Sequence, residues 1–202
     1  MSFGYSSSSR ELQDRFDTRR LADRLADVTV HRRFTELDRE FIETRDMFFL
    51  ASVDEKGQPT CSYKGGDPGF VSVVDATTLA FPSYDGNGMY RSMGNVSATG
   101  RVGLLFIDFE RQDRMRVEGI AELAFEHPLL EKHTEAQLLV LVRAEAIYPN
   151  CPRYVHRYQL VKRSRFVPRS GVCTPTPDWK RMEWARDVLP AGDPAADDSP
   201  PT

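Results

Sequence analysis

The sequence is poor in cysteine and histidine and contains no long apolar run. Its three cysteines, Cys61, Cys151 and Cys173, are odd in number and far apart. They fit free thiols in a reducing compartment, not a disulfide framework. No stretch approaches the ~18 apolar residues of a membrane-spanning helix, and residues 1–5, followed by serines at 6–9, lack a signal-peptide core. The expected location is cytoplasmic, with no membrane partner. With four histidines and no Gly-x-Ser-x-Gly, a hydrolase triad has no support. A net charge of −3 leaves no global pull toward nucleic acid or anionic lipid. No internal repeat is found.

What remains is 202 residues, 40% hydrophobic and 28% charged, with a mean hydropathy of −0.47. That is one globular domain with room for short appendages. Residues 10–45 hold nine Arg and nine Asp or Glu, with Leu12, Phe16, Leu21, Leu25 and Val28 three to five apart. This predicts a salt-laced amphipathic helix. Thr35 and Asp38 resemble a capping box for a second helix with Leu37, Phe41 and Ile42 on its apolar face.

From residue 47 the texture changes to short apolar runs punctuated by turns. Strands are predicted at 47–53, 59–63, 70–74 and 77–81, a helix at 87–99, and strands at 102–107 and 114–125, with Gly119 marking a bulge. The run 137–148 is ambiguous by periodicity and is read as strand. Residues 153–169 interleave six Arg or Lys with apolar residues and are expected to return to the barrel. Residues 179–188 read as a last helix, and 192–202 as a disordered tail. The division is then a helical arm at 1–45, a β domain at 46–170 and a C-terminal helix and tail at 171–202.

The polar loop at 81–95 leads from a strand into a helix, and it carries glycines. A helix start offers free N–H groups to a phosphate, although Asn87 as a plain helix cap is an equally simple reading. Gly86-x-Gly88 is followed by Arg91 where a dinucleotide fingerprint needs glycine, and no Gly-Lys-Ser/Thr follows.

Four segments together resemble one family: FFLASVDEKGQP at 48–59, SYKGGDPGF at 62–70, DGNG at 85–88 running to SMGN at 92–95, and YPNCPRY at 148–154. They are similar to the FMN-binding split β-barrels related to pyridoxamine 5′-phosphate oxidase, over residues 41–166. The resemblance implies a mainly β fold, a six-stranded antiparallel Greek-key split barrel with flanking helices. It also implies a homodimer with FMN between the subunits. Carried over by position, Cys61, Ser62, Tyr63 and Lys64 lie along the flavin toward its phosphate, and Pro82 and Ser83 add contacts from the next strand. Asn87 and Gly88 fall where the oxidases have an Arg-Lys pair, so the phosphate would rely on Lys64, backbone N–H groups, Arg91 or an arginine at 114–116. Asn95 belongs to the same helix segment. Arg114 falls at the position of the oxidases' flavin-contacting Gln. Arg114, Arg116 and Arg153 are candidates for the ring edge where reduced flavin carries negative charge, and Asn150 for a flavin or substrate contact.

The oxidases' Arg-Leu-x-Pro ending is absent, which argues against pyridoxal phosphate chemistry. The resulting expectation is an oxidoreductase acting on a small organic substrate, with NAD(P)H as candidate reductant and no catalytic side chain assigned. The alternative is a non-catalytic module holding flavin, F420 or haem. His127, Glu131 and His133 do not make a zinc pattern, because Pro128 and the six-residue gap interrupt it. Nucleic-acid binding by the basic stretch 153–169 is disfavoured by the sequence pI near 5.8.

Overall fold

The structure, a computed structural model, describes residues 4–196. Residues 1–3 and 197–202, and with them the end of the tail read as disordered, lie outside the described residues. The chain divides into two compact units, Met1–Val161 and Lys162–Thr202.

The first unit opens with α1 (Ser7–Arg15) and α2 (Arg19–Thr29), where a single helix was expected. Asp17 takes a φ of 51° between them. A left-handed residue ends a helix even though the apolar spacing runs on through it. α3 (Glu36–Glu43) begins as expected, with Thr35 and Asp38 forming a reciprocal capping box. Strands β1 (Met47–Val53), β2 (Pro59–Gly65), β3 (Ser72–Val73) and β4 (Thr78–Tyr84) precede α4 (Arg91–Thr99), and β5 (Arg101–Asp108), β6 (Asp113–Ala124) and β7 (Ala136–Asn150) follow it.

The strands form one antiparallel sheet in the order β2-β1-β5-β6-β7-β4-β3. It has seven strands where the resemblance implied six, and the strand expected at 70–74 is only the two-residue β3. The ambiguous run becomes β7 because β6 pairs one of its edges and β4 the other. Cross-strand register sets the two faces. Phe48 of β1 lies opposite Lys64 of β2 and Phe106 of β5, which lies opposite Met115 of β6. This row turns inward, where Phe48 and Phe106 are fully buried. One residue on, Tyr63, Phe49, Leu105, Arg116 and Tyr148 form the adjacent row on the outer face.

The sheet curls until non-adjacent strands meet. The ring of Phe48 on β1 lies 4.9 Å from that of Phe81 on β4, edge-on, and 5.1 Å from that of Phe106. The register slips between Glu118 and Gly119, where the sequence placed a bulge. Glycine is required there, since a Cβ on Gly119 would sit 2.2 Å from the Arg143 carbonyl oxygen.

Residues 151–168 form no strand, contrary to the expected return to the barrel. The adjoining end of β7 has no free edge to offer, because β6 takes one side and His31 bridges to Ile147 on the other. Within the first unit the segment instead lies on the β5–β6 turn, where the Tyr158 amide donates to the Phe109 carbonyl at 3.2 Å. In the second unit, the helix expected at 179–188 is a 3-10 turn (Asp178–Arg181) followed by a single-turn helix, α5 (Glu183–Arg186). Extended backbone at Met182, ψ 146°, separates the two. Stacked Trp179 and Trp184 rings and a buried Lys180–Asp193 ion pair of 2.6 Å organise this unit.

Candidate functional site

β2 presents alternate side chains to α4. Ser62 shares a 2.6 Å hydrogen bond with Ser92 in the first turn of that helix. One turn on, Asn95 donates to Ser52 at 3.1 Å and to Thr60 at 3.2 Å. These bonds hold the helix start against the strand, and between them and the loop after β4 opens a cavity of about 400 Å³. That lies in the ordinary range for small-ligand sites.

Of the residues selected from sequence, Ser62, Tyr63, Lys64, Ser83, Asn87, Gly88 and Arg91 line this cavity. Cys61 does not: it is exposed on the outer face it shares with Tyr63, one residue pair further from the loop after β4. Pro82 is buried in β4 opposite Leu139, beyond the end of β3, so its missing N–H costs the sheet no bond. Asn95 is buried and spends its amide nitrogen on the frame. Tyr84, Met89, Tyr90 and Ser92 also line the cavity. The residue-by-residue reading did not single them out, and the available signal was their place in the same strand-to-helix loop.

The helix starts at Arg91, four residues later than expected. Asn87 caps no helix: its side-chain oxygen accepts the Met89 amide at 3.1 Å, closing a turn inside the loop. Tyr90 occupies the cap position with a φ of 46° and supplies no side-chain cap bond. Its hydroxyl instead donates to Gln137 at 3.0 Å. Among the described residues no side chain caps the first-turn amides of α4, so they leave a partial positive charge at the cavity. Lys64 adds a full one. Its half-buried amine carries no ion pair or hydrogen bond among the described residues, and burial alone holds it below the usual lysine range. Hydroxyl donors, an uncapped helix start and an unpartnered amine make a site for an anion such as a phosphate ester.

A second polar group lies at the far end of β6 and β7. Arg114 donates to the Cys151 carbonyl at 3.0 Å. Arg153 donates to the Cys151 sulfur at 3.3 Å, and that contact lowers the thiol from its usual range. Tyr148 donates to Glu118 at 2.5 Å, with Arg116 beside it. Burial first, then Glu118, pushes the phenol up to about 12. The side-chain oxygen of Asn150 is buried with no hydrogen-bond partner. Within one chain these residues do not line the cavity. Three strand spacings, roughly 14 Å, separate the β2 position of Tyr63 from the β6 position of Arg116 in the same row.

Among the described residues no three His, Cys, Asp or Glu side chains gather as a metal site, and no helix is long and apolar enough to cross a membrane. His127 accepts the Leu129 amide through Nδ1 and so caps the turn at Pro128–Lys132.

No curated protein sequence matches the chain. Solved structures are similar to it at low identity. HupZ of Group A Streptococcus is 20% identical, covering 62% of this chain and 99% of its own, with a TM-score of 0.47. An FMN-binding protein of Syntrophomonas wolfei is 13% identical, covering 70% and 97%, with a TM-score of 0.46. The haem storage protein HutZ of Vibrio cholerae is 20% identical, covering 55% and 87%, with a TM-score of 0.36. The pyridoxamine 5′-phosphate oxidase family model matches residues 34–159, a span running from the start of α3 through the whole sheet and past the second polar group. By that match, this chain belongs to the pyridoxamine 5′-phosphate oxidase-like family of split barrels.

Proposed function

We propose that this chain binds FMN and is an oxidoreductase acting on a small organic substrate, working as a homodimer with FMN between the two barrels. The observation that carries the reading is Lys64: a half-buried amine without a counter-charge, beside an uncapped helix start, in a cavity of about 400 Å³. Lys64, Ser62, Ser83 and the first amides of α4 would hold the phosphate, with Arg91 at the rim. When bound, the flavin supplies hydride or electron transfer. The chain supplies position, and cations at the ring edge, where negative charge develops on reduction.

Those cations would be Arg114, Arg116 and Arg153. Lying across the sheet from Lys64, they would reach the ring from a second copy. Support for pairing comes from the outer sheet face, where Phe49, Leu105 and Ile107 are half exposed and Tyr63 is 63% exposed. Two symmetric copies would bury that face and bring each arginine group toward the other copy's cavity.

One observation favours a second reading, a non-catalytic module for flavin, F420 or haem. Asn87 and Gly88 stand where the resemblance expects two phosphate-binding cations. The visible spectrum of freshly purified protein, an FMN titration followed by melting temperature, and anaerobic mixing with NADH or NADPH separate the two. Bleaching of a bound flavin by either nucleotide supports the oxidoreductase. A flavin that no donor reduces supports the module. Colourless protein that FMN neither binds nor stabilises removes both flavin readings.

A further inference from the structure

The N-terminal helical hairpin has its polarity reversed. The contacts that join its helices are polar: Arg10 meets Asp23 at 2.7 Å and the Tyr5 hydroxyl donates to the Ala22 carbonyl at 3.0 Å, while at the exposed turn Arg19 holds Asp14 through two bonds of 2.5 and 2.6 Å. Its large apolar side chains point to solvent, Leu12, Phe16, Leu21, Leu25 and Val28 being 50–73% exposed. Neither α1 nor α2 contains a buried residue. Helices of nine and eleven residues are marginal in water without an apolar face to bury.

We propose that this hairpin is a clasp whose apolar side seats on a second copy of the chain. The inference rests on the paired-barrel reading and extends it to residues before the family match, which begins at 34. The five side chains expose on the order of 500 Å² of apolar surface. That is short of the ~800 Å² per partner of a stable interface. In a twofold pair each copy gives one hairpin face and receives another, so the two arms together exceed that area.

The place where the hairpin leaves the body points to the same partner. His31 and Ile147 exchange backbone bonds of 3.0 and 2.8 Å, next to Tyr148 in the outer row and three residues before Asn150. The arm therefore emerges at the margin of the sheet face through which the barrels would pair. Charge argues against a lipid surface as occupant. Arg10, Arg15, Arg19, Arg20 and Arg24 are offset by Glu11, Asp14, Asp17, Asp23 and Asp27, which leaves no net attraction to anionic headgroups.

The test is sedimentation velocity on the full chain over a range of concentrations, comparing wild type, the Leu21→Asp/Leu25→Asp double variant, and Ala51→Arg on the exposed outer face of β1. Wild type is expected to dimerise. The double variant should weaken self-association ~100-fold or more, since four anchors per dimer become charged. Barrel melting should hold when each is compared as monomer. Amide exchange in α2 should be slow in wild type and fast in the monomer produced by Ala51→Arg. A dimer split by Ala51→Arg but changed less than about threefold by the arm variant overturns the clasp and leaves the pairing standing. A wild-type monomer overturns both. Arm-dependent binding to phosphatidylcholine–phosphatidylglycerol vesicles without effect on self-association overturns the clasp in favour of lipid.

Discussion

The two regions of the sheet that carry candidate cations, β2 with α4 and the ends of β6 and β7, hold them in opposite states. At the β2–α4 end Lys64 is half buried and unpartnered, and its charge is disfavoured by burial. At the β6–β7 end Arg114, Arg116 and Arg153 lie beside groups of their own chain: the Cys151 carbonyl, Tyr148 and the Cys151 sulfur. A charge kept from water without a partner is costly and is retained where an external anion supplies the partner. A guanidinium tied by its own chain is held in place for whatever approaches that end. On the proposed pairing, the first would receive the anion within one chain, and the second would face a neighbour's ligand.

The sharpest way to break this arrangement is to disturb the frame of the arginine end. Gly119→Ala places a methyl 2.2 Å from the Arg143 carbonyl oxygen, a backbone atom in the longest pairing of the sheet. The strands must part, and the expected loss is about 3 kcal/mol, read as a lower urea midpoint. An unchanged midpoint would mean that the slip in register tolerates a side chain. At the other end, Asn95→Ala removes both bonds joining α4 to Ser52 and Thr60. It should cost about 2 kcal/mol and loosen the helix start. If FMN affinity fell while stability held, Asn95 would be acting on the ligand and not on the frame.

The same pair of ends shows what the sequence could convey. The β2 residues of the cavity came from the family resemblance, whereas the loop was legible because a helix start after a glycine-bearing loop has a fixed electrostatic meaning. The strand at 137–148 and the bulge near Gly119 followed from apolar runs and from glycine. Asn95 was misleading because helical spacing puts it on the same side as Ser92, Val96 and Thr99, a half-polar stripe that faces the barrel. Residues 153–169 interleave basic and apolar residues, yet the nearby end of β7 is already paired by β6 and by His31. Whether an edge is free is a property of the whole sheet and leaves no local mark. The break at Asp17 is equally silent, since the apolar spacing of three to five continues across it.

Lys64→Met sharpens the comparison chemically. Losing one charge-assisted contact should weaken FMN binding about 10- to 100-fold, whereas fold stability should hold or rise as an unpartnered charge leaves the interior. The pH dependence has a definite sign. Burial lowers the free amine's pKa, and a bound phosphate would raise it again. Wild-type affinity should be full while Lys64 is charged and should fall as pH rises through that depressed pKa, below the ordinary ~10.4. In the variant the same window should be flat. A parallel decline in both proteins would assign the effect to another group.

The smallest effect belongs to the other end. Cys61, Cys151 and Cys173 are all exposed within one chain; Cys61, opposite Ala51 on the outer face, would be covered in the pair, so access alone predicts similar alkylation rates for Cys151 and Cys173. The Arg153 guanidinium donates to the Cys151 sulfur at 3.3 Å and favours its thiolate. Iodoacetamide at neutral pH, followed by peptide mass mapping, should therefore label Cys151 several-fold faster than Cys173, in line with a larger thiolate fraction. Arg153→Ala should remove that lead while leaving Cys61 and Cys173 unchanged. Equal rates at Cys151 and Cys173 in wild type would mean that the guanidinium is solvated and its charge screened. The contrast between a free lysine and a tied arginine would then lose its second half.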